Sequence, residues 1–205
     1  SVLYACHDAN PHGAGIAWRE NGKVKWEKNL GPGKVMLLLK ELPPDEVVIR
    51  FRWASVGGVD ARLCHPFPVT KRASLRLTGA ADTVLFHNGT WGNWEAAQEI
   101  IGDLDGPMSD SRAVAALVHH KGSKPLKRLP GRWAIMHGKE IELFGDWQPW
   151  RGFLVSNTSF TPYLADSARR ASFSVSTPHS ADACRKPSTA GHTGQLPLPL
   201  GNHQR

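Results

Sequence analysis

The stretch Ala14-Gly15-Ile16-Ala17-Trp18-Arg19-Glu20-Asn21-Gly22-Lys23-Val24-Lys25-Trp26 decides the fold class. Two short runs, residues 14–18 and 23–26, flank Glu20-Asn21-Gly22. Asn-Gly supplies the positive-φ pair that a tight hairpin turn demands, so the stretch reads as two antiparallel strands. Residues 132–137 and 140–144 predict a second hairpin around Gly138-Lys139. Further strands are expected at 47–53, 83–87 and 153–156. Val2, Leu3 and Cys6 suggest a short amphipathic helix that ends at Asn10-Pro11-His12-Gly13. Residues 32–42 fit a helix with Pro32 in its first turn, stopped by Pro43-Pro44. Residues 91–101 and 109–119 also read as helical, the second with Ser109 as N-cap and Asp110 in the first turn. Strands gathered in hairpins, with helices in separate runs, predict an α+β layered fold rather than a doubly wound parallel sheet.

Composition bounds the rest. A chain of 205 residues with 40% hydrophobic content and eight tryptophans can bury a real core. Near residue 160 the sequence turns to Ser, Thr, Pro, His and Arg and loses apolar density. A domain over 1–160 followed by a low-complexity, largely disordered tail over 161–205 is expected. No run approaches the ~18–20 apolar residues of a membrane span. Three cysteines at unrelated spacings argue against a disulfide framework and for a reducing, cytoplasmic compartment. No CxxC or HExxH pattern occurs, so neither a metal nor any other cofactor is expected. The net charge is +7, of which +3 falls after residue 160. The one basic cluster in the domain is Lys121, Lys124, Lys127 and Arg128, in a Pro-containing loop read as solvated rather than as a nucleic-acid contact.

Four short segments carry chemistry, in this order: Asn10-Pro11-His12-Gly13-Ala14-Gly15-Ile16-Ala17; Arg52-Trp53-Ala54-Ser55 with Cys64-His65-Pro66-Phe67; His87-Asn88-Gly89; and Ser109-Asp110-Ser111. A planar arginine fork such as Arg52 suits an α-carboxylate bidentately. Asp110 near a helix start is an acceptor for an α-ammonium. The amide of Asn88 and the N–H of Gly89 can converge on an oxyanion, where losing one donor typically costs about 3–4 kcal/mol of barrier. Ser55 and Trp53 would line or close the pocket. Taken singly, each has a plainer reading: a strand arginine in a surface ion pair, a helix-dipole residue, an Asn-Gly turn. His65 is expected to satisfy backbone groups, and His87 to orient or fill the core.

As an ordered set, these segments resemble the glutaminase domain of class-II glutamine amidotransferases. That family shows a Gly-rich strand, R-W-A-T followed by H-P-F, H-N-G, and S-D-T/S in the same sequence. Gly145-Asp146-Trp147 with residues 152–157 is similar to its closing hairpin and Ser-Asn. The resemblance implies a four-layer αββα sandwich of the N-terminal-nucleophile hydrolase type. It implies release of ammonia from the side-chain amide of L-glutamine, with a separate synthase or acceptor protein as partner. It assigns oxyanion stabilisation to Asn88 and Gly89, and the hold on glutamine to Arg52, Trp53, Ser55 and Asp110. The family's nucleophile is a cysteine at the mature N-terminus whose own amine is the base. The sequence opens at Ser1, in what matches the helix after the family's first strand. An N-terminally truncated domain, incomplete in its first sheet and inactive as given, is therefore expected. A degenerate glutamine binder, a nucleophile at Ser1 itself, and a basic nucleic-acid-binding module are the alternatives.

Overall fold

Asn21 and Gly22 adopt φ of 52° and 75°, the backbone a tight hairpin turn needs. They join β1 (Ala14–Glu20) to β2 (Lys23–Leu30) in an antiparallel pair, with an irregularity in register between Ala14 and Gly15. The computed structural model describes residues 1–42, 46–166 and 168. Ahead of the hairpin lies α1 (Val2–Ala9), and after it α2 (Pro32–Glu41), whose first residue is the expected proline. The predicted strand at 47–53 is shorter, β3 (Val48–Phe51). Together with β5 (Thr78–Ala81) these strands form one sheet in the order β3-β1-β2-β5. β5 went unanticipated because Thr-Gly-Ala-Ala has little strand character. It sits beneath Trp26, whose ring leaves a Cβ at Gly79 only 2.4 Å.

The second sheet runs β4 (Phe67–Pro68), β6 (Thr83–Asn88), β7 (Arg132–His137) and β8 (Ile141–Phe144). Its β7–β8 hairpin matches the second predicted one. A separate pair, β9 (Gln148–Trp150) and β10 (Phe153–Val155), closes the order of strands. The expected helix at 91–101 is broken. A 3₁₀ turn at Trp94–Ala97 leads into α3 (Gln98–Ile101), with Gly92 and Asn93 ahead of it. α4 (Asp110–Lys121) starts as predicted, its N-cap Ser109 accepting from the Arg112 amide.

The period of two along each strand sorts the core into three clusters. Ala14 and Ile16 of β1 pack with Val35 and Leu38 of α2, with Leu3 and Cys6 of α1 against them. Ala17, Val24 and Trp26 face the other way, onto Val84, Phe86, Ala134 and Met136 of the second sheet. Leu85, Trp133 and Ile135 turn to the far side and meet Val114, Leu117 and Val118 of α4. The structure is thus α+β, with mostly antiparallel sheets and helices packed on them. No helix among the described residues is long and apolar enough to cross a membrane. Of the predicted tail, a 3₁₀ turn at Thr161–Tyr163 lies against α1, and residues 167 and 169–205 lie outside the described residues.

Candidate functional site

The end of β3 and the end of β6 meet at a polar interior. Arg50 pairs with Gly15 across β1. Its Nε donates to the His87 carbonyl at 3.0 Å and its Nη2 to Asn88 Oδ1 at 2.9 Å. Its Nη1 donates to the carbonyl of Phe51. Burial pushes the Arg50 guanidinium down to about 10, so it stays cationic at neutral pH. A guanidinium only donates. It therefore fixes the Asn88 amide with oxygen towards Arg50 and NH₂ away, where Nδ2 donates to Ser156 Oγ at 2.7 Å. Arg50 was not singled out from the sequence. Its role rests on contacts made across two sheets, which no local pattern in the chain marks.

Two residues on, Arg52 is 4% exposed. Its Nη2 donates to the carbonyls of Val56 at 3.2 Å and Gly58 at 2.8 Å. Its Nη1 is buried and has no hydrogen-bond partner among the described residues. Burial lowers its pKa. No carboxylate among the described residues lies in salt-bridge contact with it, and its burial is at odds with the surface ion-pair reading. Asp110 is also buried; Oδ2 accepts from the Trp91 amide at 2.9 Å and Oδ1 from the Ser111 amide at 2.7 Å. Its other neighbour is His87, whose Nδ1 stands 3.5 Å from Asp110 Oδ2 and 3.1 Å from Ser111 Oγ. Burial pushes the imidazole down to about 4, against the opposing pull of Asp110, and its ring stacks on Trp133 at 3.6 Å. His87 is thus neutral at pH 7 and orients its neighbours, as expected.

Arg52, Trp53, Ser55, Gly89 and Asp110, five of the six predicted site residues, line one small cavity of about 20 Å³. Ser55 Oγ lies 3.0 Å from Thr90 Oγ1. Trp53 stands exposed at 58%, its ring 5.2 Å from that of His12. Gly89 holds φ of 147°, and a Cβ there would come within 2.8 Å of Gly131 Cα. Asn88, the sixth, lines a neighbouring cleft of about 610 Å³. Arg50 and His87 line both spaces and join them. His65 corrects an expectation: neither ring nitrogen has a partner among the described residues, and the ring stacks on Phe86 and meets Phe67 edge-on. Burial holds its pKa well below the usual range, so it packs as a neutral aromatic.

Neither described thiol is an activated nucleophile. Burial pushes Cys6 up to about 11 and raises Cys64 as well, and Cys64 Sγ donates to the His12 carbonyl at 3.3 Å. Among the described residues, no group of three or more His, Cys, Asp and Glu side chains is placed to hold a metal ion. Lys121, Lys124, Lys127 and Arg128 are exposed around the end of α4. No protein-family model and no curated protein matches this chain.

Proposed function

We propose that the paired cavities are the glutamine-holding half of a class-II amidotransferase-type glutaminase site. One observation carries the reading. The buried Arg52 keeps Nη1 without a partner in the same small cavity that Asp110 and Gly89 line, next to an Asn88 amide whose NH₂ is turned away from Arg50. Arg52 takes the α-carboxylate of glutamine and Asp110 its α-ammonium. The side-chain amide then runs past His87 towards Asn88 and Gly89, whose donors hold the oxyanion of the tetrahedral intermediate. The small cavity has room for about a single water. Glutamine therefore enters by displacing the segment 55–60, whose Val56 and Gly58 carbonyls Arg52 now holds.

The order of the three cores, helix on sheet, sheet on sheet and sheet on helix, supports the four-layer αββα sandwich of N-terminal-nucleophile hydrolases. Turnover by that chemistry needs a thiol and a free amine on one residue beside Asn88. Neither Cys6 nor Cys64 meets that need, so the reading calls for a cysteine-led strand added to this domain. Attack of that thiol on the side-chain amide releases ammonia and leaves a glutamyl thioester, which water hydrolyses to glutamate; the ammonia goes to an acceptor on a separate synthase or to solvent.

Calorimetric titration with L-glutamine tests the binding half. Saturable heat is expected, weakened at least about tenfold by Arg52→Ala and by Asp110→Asn, since each removes a charge-assisted contact. Absence of binding, or binding that ignores both substitutions, overturns the assignment.

A further inference from the structure

Unpartnered buried nitrogen is concentrated in one place. Arg52 Nη1 and both ring nitrogens of His65 have no hydrogen-bond partner among the described residues. Both side chains line the cavity of about 20 Å³, and they are 4% and 6% exposed. An unmade hydrogen bond is costly on any buried donor and costlier on a cation.

The charge of the walls decides what fits there. Two guanidiniums, Arg50 and Arg52, line the space. Among the described residues neither is in salt-bridge contact with a carboxylate. Burial, and then the positive charges of Arg50, Arg52 and Lys28 around it, hold His65 neutral. Asp110 is the one carboxylate in the lining, and its oxygens are engaged. Oδ1 accepts from the Ser111 amide at 2.7 Å and the Ser111 hydroxyl at 3.3 Å, and Oδ2 from the Trp91 amide at 2.9 Å. Those donors, at the positive end of α4, offset its charge. The walls therefore carry two cations against one already satisfied anion, and buried charge calls for a counter-ion. The volume is about that of a single water. With the segment 55–60 in place, it admits a monoatomic ion and shuts out carboxylates and phosphates.

We infer that this cavity is a chloride site, the ion being held by Arg52 Nη1 and by an N–H of the His65 ring. Arg52 has only donors to offer, which suits an anion. Its Nη2 already holds the Val56 and Gly58 carbonyls at 3.2 and 2.8 Å. Chloride on Nη1 completes the same guanidinium and so stabilises the closed arrangement of that segment. The ion site stands on the cavity alone. Its consequence rests on the glutaminase reading: chloride competes with L-glutamine, whose α-carboxylate needs the same guanidinium.

Urea unfolding in sodium chloride and in sodium gluconate tests the site. Equal ionic strength screens surface charge equally, and gluconate is too large for the cavity. Raising chloride from about 1 to about 100 mM at constant ionic strength should raise the folding equilibrium constant about tenfold, the mass-action gain for a dissociation constant near ~10 mM. Bromide should replace chloride. Arg52→Met should abolish the dependence. His65→Phe keeps a ring between Phe67 and Phe86 and should weaken the ion at least about fivefold. A crystal of the unaltered chain grown in bromide should show an anomalous peak at hydrogen-bond distance from Arg52 Nη1. No advantage of chloride over gluconate would give the cavity to a water and overturn the ion. An advantage that survives Arg52→Met, or bromide peaks on the surface alone, would mean an adventitious ion only and overturn it too. In calorimetry the dissociation constant of L-glutamine should rise about tenfold over the same chloride range; glutamine binding through Arg52 that ignores chloride overturns the site. Chloride-dependent stability in a chain that binds no glutamine keeps the ion and sinks the glutaminase reading alone.

Discussion

The two cavities that share Arg50 and His87 are opposites. Around Arg52 and Asp110 the side chains are buried and several are held by hydrogen bonds, while Arg52 Nη1 and the His65 ring nitrogens have no partner among the described residues, and the remaining space is one water's worth. Around β3 and β10 the walls mix apolar side chains with Arg50, His87, Asn88 and Ser156, each of the two strands pairs on one side only among the described residues, and the space is some thirty times larger. The closed region is over-determined: its side chains are set by burial and hydrogen bonds whether or not a ligand is present. The open region is less constrained, with Phe153 and Leu154 of its wall largely exposed.

That contrast can be broken most severely at Gly15, which supports both regions. A Cβ there would lie 1.6 Å from the His65 carbonyl oxygen, a backbone atom that cannot step aside. Gly15→Ala should cost about 4 kcal/mol or more and leave the domain unfolded or molten, seen as loss of a cooperative urea transition.

Acid should attack the closed region next. The folded His87 titrates near 4 and an unfolded histidine near ~6.5. The unfolded chain thus binds more protons in between, and stability present above about pH 6.5 is lost as pH falls through 4. A loss of about 3 kcal/mol from this group is expected by full protonation. Urea midpoints at pH 7 and pH 4 measure it; an unchanged midpoint would show that His87 is not held neutral.

Arg50→Ala should cost about 2 kcal/mol, the worth of a charged hydrogen-bond donor to buried acceptors. It should also free the Asn88 amide to rotate, which its side-chain NH₂ resonances would report. Leu154→Asp belongs to the open region and should change stability by no more than about 0.5 kcal/mol. A large destabilisation there would mean that the cleft wall is already packed.

The sequence showed the closed region well and the open one poorly. Asn21-Gly22, Pro32 and Ser109 are local signals whose physics acts within a few residues, and each marks the element expected of it. Arg52, Trp53, Ser55, Gly89 and Asp110 are placed together through a resemblance in the order of short segments, and they line one cavity. The role of Arg50 depends on which atoms of Asn88 it meets across two sheets, and no spacing in the chain encodes that. β5 and the unsatisfied His65 escaped for the same reason: Gly79 under the Trp26 ring, and an imidazole among Phe67 and Phe86, are tertiary facts. The facing edges of β3 and β10 lie about a hundred residues apart in the chain.

The close approach of β1 to the His65 carbonyl also acts on the way to the fold. A strand that slips by one residue presents its other face. Here a slip in either direction would bring the side chain of Ala14 or Ile16 to a point with room for a hydrogen atom alone. The carbonyl works like a pin in a lock, rejecting every alignment but the one that brings Gly15 beneath it. The neighbouring strands β2 and β3, which take their alignment from β1, are then set by the same test.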